Sequence, residues 1–145
     1  MPRTSGFTLI ELLVVLAVIA FILAIVPPLF DKGLSGASLK AAARGIAGTL
    51  RQARSEAITR NREITFTIDV EGRRYGVGNR RGGVVPAEAE ISLFTAQSER
   101  LDATTGNIRF FPNGGSTGGR VSLAHDQRQY HVSVDWLTGQ VSVAE

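Results

Sequence analysis

Residues 1–20 read MPRTSGFTLIELLVVLAVIA, and from Phe7 to Val26 every side chain is apolar or small except Thr8 and Glu11. A helix of that length spans about 30 Å, the hydrocarbon thickness of a bilayer. Pro27-Pro28 then ends the run, because proline lacks the helix donor and clashes with the preceding turn. In a secretory signal the small residues that mark cleavage follow the apolar stretch. Here Ser5-Gly6 precede it. Cleavage after Gly6 would remove the basic leader residue Arg3, keep the anchor, and create a new amine on Phe7 at the membrane edge. Such an amine suits Glu11, since a carboxylate in a low-dielectric setting seeks a cation. The bland alternative is that Glu11 snorkels to the headgroups and does nothing else.

The stretch Gly6-Phe7-Thr8-Leu9-Ile10-Glu11, followed by an apolar helix, resembles the prepilin motif of type IV pilins and type II secretion pseudopilins. The resemblance implies that a membrane prepilin peptidase cuts after Gly6 and methylates the new amino terminus, Phe7. It also implies that Glu11 pairs with the amine of a neighbouring subunit during assembly. Arg3 should stay cytoplasmic and residues beyond Pro28 should be exported, giving a single-pass bacterial inner-membrane protein with a periplasmic domain.

Composition fits a small anchored protein. The 145 residues suffice for one modest domain beyond the anchor. The chain has no cysteine, which excludes a disulfide framework and thiolate metal or redox chemistry. Its formal charge is +3, and loss of Arg3 with the leader lowers that to +2, too mild an excess to imply a nucleic-acid partner.

Beyond the anchor, Leu39, Ile46, Leu50, Ala53 and Ala57 recur at helical spacing, with Lys40, Arg44, Arg51, Arg54 and Arg62 mostly on other faces. The pattern predicts an amphipathic helix whose arginines form a solvated face and whose start is capped by Ser35 or Ser38. Gly45 and Gly48 weaken the helix and permit close approach by a neighbour. Pro27, Pro28, Gly33 and Gly36 predict a break between the two helices. Apolar residues alternate through Ile64–Val70, and Arg74–Gly78 returns after a turn at Glu71-Gly72. Further strands are predicted at Ile91–Thr95, Ile108–Phe111, Val121–Ala124 and Tyr130–Trp136, with a closing hairpin through Val141–Val143. The predicted fold is α+β and type IV pilin-like, a long N-terminal helix packed on antiparallel sheets. The expected organisation is a cleaved leader at 1–6, a transmembrane and assembly helix at 7–30, an amphipathic helix at 31–62 and a periplasmic β-sheet domain at 63–145.

The soluble part resembles the GspH/FimT family of minor pseudopilins and minor pilins. The segments that carry the resemblance are Arg51–Asn61, Phe110-Phe111-Pro112-Asn113-Gly114 with the glycine-rich stretch after it, and Val134–Val141. No cluster of acids follows Asp126, where major pseudopilins carry a calcium-binding loop, and Glu11 is present, which the apical minor pseudopilin usually lacks. Both features imply a minor, non-apical subunit.

Other chemistry finds little footing. Gly76-Val77-Gly78-Asn79-Arg80-Arg81-Gly82 is followed by no helix to receive a pyrophosphate. Asn113–Gly119 has no lysine after it and leads into a strand, so it turns the chain rather than cradling a phosphate. His125 and His131 lack a third ligand at convincing spacing. No nucleophile elbow accompanies the serines. We expect no enzyme, no cofactor and no metal.

Arg73, Arg74, Arg80 and Arg81 cluster around two glycine-rich turns. They are read as a solvated loop, as a dock for acidic surfaces of neighbouring pseudopilins or a secreted cargo, or as a grip on DNA phosphates. Tyr75 is the one stacking ring nearby. The expected function is a minor pseudopilin of a type II secretion system, joining the tip complex to the shaft of the pseudopilus through contacts with other pseudopilins. The alternative is a FimT-like minor pilin of a type IV pilus that binds DNA for uptake.

Overall fold

The computed structural model describes residues 6–25 and 35–145. The chain divides into two compact units, Met1–Leu34 and Ser35–Glu145.

In the first unit, helix α1 spans Leu9–Ile25. Thr8 caps it. Its hydroxyl accepts from the Glu11 N–H at 3.4 Å, and its carbonyl accepts from Glu11 and Leu12 at 3.1 and 3.2 Å. Thr8-Leu9-Ile10-Glu11 thus has the T-x-x-E spacing of a capping box. That spacing puts Glu11 in the first turn, where the helix dipole favours an anion. The helix is apolar all round, and the side chains of Leu9, Leu13, Leu16 and Phe21 are all exposed. As described, its 17 residues extend about 25 Å. Among the described residues no helix is long and apolar enough to cross a membrane. The expected break at Pro27, Pro28 and Gly33 lies outside the described residues. Gly36, expected to share in that break, lies within the next helix.

In the second unit, helix α2 spans Ser35–Thr59. Leu39, Ile46, Leu50, Ala53 and Ala57 are buried as their spacing predicts, together with Ala43 and Ala47. The run of alanines lets the helix lie close to the strands beneath it. Gly45 is needed for that approach, since a Cβ there would sit 2.6 Å from the Tyr75 hydroxyl. Gly48 differs, as a Cβ there would meet nothing within 4 Å. The helix ends in a Schellman arrangement: Arg62 N–H reaches the Ala57 carbonyl at 3.2 Å and Asn61 N–H reaches Ile58 at 3.3 Å. Asn61 takes the left-handed conformation this requires, with φ 48°.

Eight strands follow, β1 Ile64–Asp69, β2 Arg74–Val77, β3 Arg80–Val84, β4 Glu90–Thr95, β5 Thr105–Phe110, β6 Gly119–His125, β7 Arg128–Val134 and β8 Val141–Ala144. They form two antiparallel four-stranded sheets, ordered β3-β2-β1-β5 and β4-β6-β7-β8. Phe66, Ile68, Ile108 and Phe110 from the first sheet and Val121, Leu123 and Val132 from the second are fully buried in one core with the apolar face of α2.

The structure adds one strand and corrects one expectation. Arg80 and Arg81, beside the turn at Gly78-Asn79, open a strand, β3, that the sequence pattern does not predict. Trp136 lies beyond the end of β7, in the turn before β8, and is 67% exposed rather than the inward member of an alternating run.

A single 3₁₀ turn, Gln97–Glu99, buries the Glu99 carboxylate. Arg109 on the outer side of β5 meets it at 3.2 Å and meets Glu63 at 2.9 Å, so the buried charge is paired.

Candidate functional site

Gly6 and Phe7 precede α1 in non-helical chain, and Phe7 is 75% exposed. The Gly6–Phe7 peptide bond therefore lies outside the hydrogen-bonded ladder that begins after Thr8. Among the described residues a Cβ at Gly6 would meet nothing within 4 Å, so no packing shown there requires glycine. Glu11 is exposed in the first turn of α1. The threonine that organises this turn escapes a reading of the motif for cleavage alone. Its signal is the T-x-x-E spacing itself.

The four clustered arginines separate into different roles. Arg73, with φ 54° and its side chain half-buried, donates through Nη2 to the carbonyls of Pro86 and Ala89, and so fastens the segment after β3. Arg74 meets Asp69 across the β1–β2 turn at 3.2 Å. Arg80 meets Glu56 of α2 and ties the edge hairpin to the helix. Arg80 and the nearby Arg60 hold the Glu56 carboxyl below the usual carboxylate range. The Arg81 side chain makes no hydrogen bond or ion pair among the described residues. Arg74, Arg80 and Arg81 border a shallow depression of about 360 Å³ on the outer face of the first sheet, with Asp69 in its wall.

The helix arginines are not merely a solvated face. Arg54 Nε donates to the Gly114 carbonyl at 3.1 Å and to the Thr138 carbonyl at 3.1 Å. Arg51 Nη2 donates to the Val141 carbonyl at 3.2 Å. Arg54 therefore binds together the three segments that carry the sequence resemblance: the end of α2, the glycine-rich loop and the closing hairpin. The loops it joins are themselves organised. Asn113 Oδ1 accepts from Gly115 N–H at 3.0 Å, and the Ser116 hydroxyl donates to the Asp135 carbonyl at 3.0 Å. The Asp135 carboxylate accepts from Thr138 N–H and hydroxyl, both at 2.8 Å, and from Leu137 N–H. Those donors hold its carboxyl below the usual range. Around this clasp, Ile58, Trp136 and Leu137 stand exposed. Sequence reading reaches each segment but not the clasp, because its partners lie 60 and 84 residues from Arg54.

The histidines are engaged separately. His125 Nδ1 lies 2.9 Å from the Glu88 carbonyl, and His131 Nδ1 lies 2.8 Å from the Ser122 hydroxyl. Among the described residues no three His, Cys, Asp or Glu side chains gather as a metal site.

A prepilin-like motif at the start of an apolar helix, and a domain that lays one long helix on antiparallel sheets, define a type IV pilin-like protein. Residues 42–139 match the family described as type II transport protein GspH, and residues 1–27 match the prokaryotic N-terminal methylation motif. The chain is 34% identical over 139 residues to type II secretion system protein H of Xanthomonas campestris, covering 96% of this chain and 82% of that one. Its fold is similar to that of the minor pseudopilin EpsH of Vibrio cholerae (TM-score 0.58, 15% identity, 74% of this chain and 96% of that one). It is equally similar to the type IV minor pilin FimU of Pseudomonas aeruginosa (TM-score 0.57, 18% identity, 74% of this chain and 88% of that one). The chain belongs to the GspH family of type II transport proteins, the minor pseudopilins of type II secretion.

Proposed function

We propose that this minor pseudopilin is a non-apical subunit that joins the tip complex to the shaft of a periplasmic pseudopilus, acting by assembly rather than catalysis. The observation that carries the reading is the prepilin-type N-terminus with Glu11 retained, set ahead of a GspH domain. A membrane prepilin peptidase would cut after Gly6 and methylate Phe7. The apolar segment would then hold the subunit in the bacterial inner membrane, with the β-sheet domain in the periplasm. Its partners would be major and minor pseudopilins, with a secreted cargo met at the exposed face of the domain.

The test is recovery of the chain from sheared filaments, with intact-mass analysis of the recovered protein. A chain beginning at methylated Phe7 and co-recovered with other pseudopilins supports the reading. Retained Met1, or cleavage beyond Val26, overturns it.

The DNA-binding alternative draws on the same arginine cluster. Three of its four guanidinium groups already hold carbonyls or carboxylates of the same domain, which leaves Arg81 to meet a phosphate. Replacing Arg73, Arg74, Arg80 and Arg81 by Gln would flatten the salt dependence of DNA binding by about 0.9 for each phosphate no longer neutralised. Absence of any salt-dependent binding by the wild-type chain at low ionic strength would remove that alternative.

A further inference from the structure

The last strand of the second sheet has one partner. β8 pairs with β7, and among the described residues no strand pairs with its other edge. The direction of its backbone groups follows from two bonds. Asp135 N–H donates to the Gln140 carbonyl at 3.0 Å, so that carbonyl points toward β7. Alternation then turns the Val141 carbonyl outward, which is where Arg51 meets it. Two residues on, the N–H and carbonyl of Val143 point outward as well.

Among the described residues the side chain of Val143 has no matching cover. It shares a face with Val141, and with Val132 opposite it in the register, the face that packs on α2. Val132 is fully buried and Val141 is 8% exposed, yet Val143 is 38% exposed.

The flank of α2 along this edge is open and basic. Arg44, Gly48, Arg51 and Ser55 follow one another at helical spacing, and all four are exposed. No side chain of the domain comes within 4 Å of a Cβ placed at Gly48. A groove of about 500 Å³ runs between Arg51, Arg54, Ser55 and Ile58 on the helix and Gln140 and Val141 at the start of the strand. Its lining holds no carboxylate and two guanidinium groups, which keep donors beyond the carbonyls they hold: Arg51 is engaged through Nη2 and Arg54 through Nε. The one acidic side chain toward the far end of β8, Glu145, accepts from the Tyr130 hydroxyl at 3.1 Å.

A strand edge that pairs with no strand and is capped at the Val141 carbonyl alone, an apolar side chain left half-covered on its packed face, and a basic channel beside it fit one kind of occupant. We infer that β8 receives an extended acidic segment of another pseudopilin, added as a fifth strand, with its carboxylates facing Arg51 and Arg54. Main-chain bonds to the outward groups of Val143 would hold the segment, and alternate side chains would set its identity. Gly48 leaves room for its backbone. The inference rests on the proposed role as a filament subunit.

The test uses the full chain in cells that assemble the filament, with a photo-crosslinking residue in place of Ser55. The expected adduct is with a different pseudopilin, through a peptide carrying Asp or Glu. Two variants are then added to that background. Val143→Pro removes an outward N–H without touching the β7 ladder. Gly48→Leu fills the open flank with a better helix former. Each should leave membrane abundance and cleavage after Gly6 unchanged while lowering the adduct by about tenfold. An adduct with a second copy of this chain or with a secreted protein overturns the inference, as does an adduct unchanged in both variants. So does the absence of an adduct from filaments that contain the chain. Absence of the chain from sheared filaments overturns the subunit role as well, and so separates the two failures.

Discussion

Arg54 and Gly114 meet between the last turns of α2 and the glycine-rich loop, the guanidinium Nε of one 3.1 Å from the carbonyl of the other. The same nitrogen reaches Thr138 at the same distance, so one helix side chain fixes both loops. The loops touch so closely that a Cβ at Gly139 would overlap the Gly114 carbonyl. The segments that mark the family in the sequence thus form a single spatial unit.

Loss of Arg54 should loosen that unit. Arg54→Ala leaves two carbonyls without their donor and is expected to cost about 1–3 kcal/mol. Arg54→Lys keeps the charge but replaces the planar fork with a single ammonium, so it should recover only part of the loss. Thermal unfolding checks this. A fall in Tm of several degrees for Ala, with Lys in between, is expected.

Two glycine-to-alanine changes should act with opposite sign. Gly139 has φ 64° and faces the Gly114 carbonyl, so Gly139→Ala adds backbone strain and a clash and should destabilise by about 1–3 kcal/mol. Gly48 sits inside α2 with open space beside it, so Gly48→Ala should stabilise by up to about 1 kcal/mol. Denaturant midpoints at unchanged m-value would show the pair diverging.

The same contrast shows what the sequence displays and what it hides. Alternation of Ile64, Phe66 and Ile68 declares β1 without help, because a half-buried strand must place apolar residues two apart. The spacing of Leu39, Ile46, Leu50, Ala53 and Ala57 declares the buried face of α2 for the same kind of reason. β3 is hidden. Arg80-Arg81-Gly82-Gly83-Val84 has the composition of a turn, and it becomes a strand because it needs only one neighbour, β2, at a sheet edge where charge is tolerated. Its glycines answer to packing that composition does not reveal: a Cβ at Gly83 would sit 2.5 Å from the Tyr75 hydroxyl. Arg54 is hidden likewise, since its helical position suits a solvated arginine equally well. The N-terminal motif is legible because it lies in contiguous residues, and residues 1–27 match the N-terminal methylation motif as one run.

Acid should weaken the domain through its turn carboxylates. Asp135, Asp69 and Asp102 each accept backbone N–H bonds, from Thr138, from Gly72, and from Thr104 and Thr105 respectively. Those bonds hold all three carboxyls below their usual range. A carboxyl depressed in the folded state contributes stability that is complete above its unfolded value, about 3.9, and is lost as pH falls through the folded value. Stability should therefore be flat above about pH 5 and decline below about pH 4. Asp135→Asn keeps an acceptor oxygen but cannot titrate, so its decline should be shallower. Urea unfolding at stepped pH measures the slope, and identical slopes for wild type and Asp135→Asn would refute the assignment.

Glu11 holds two positions at once, as the residue three after the cap of α1 and as the candidate partner of a neighbouring subunit's amine. The two roles predict different outcomes. If capping is its whole task, Glu11→Gln should be tolerated, because glutamine serves the same position of the box, and Thr8→Ala should be the worse change, weakening the first turn by about 1 kcal/mol. If assembly is its task, Glu11→Gln should fail where Thr8→Ala succeeds, since only the former removes the charge that the amine of Phe7 would meet. Leader cleavage should persist in both, because Gly6 and Phe7 are unchanged. Membrane insertion should persist or improve in Glu11→Gln, since a charge leaves an apolar run. The measurement is recovery of each variant in sheared filaments relative to its abundance in membranes. We expect strong depletion for Glu11→Gln and near-normal recovery for Thr8→Ala. Near-normal recovery of Glu11→Gln would assign Glu11 to the helix terminus alone.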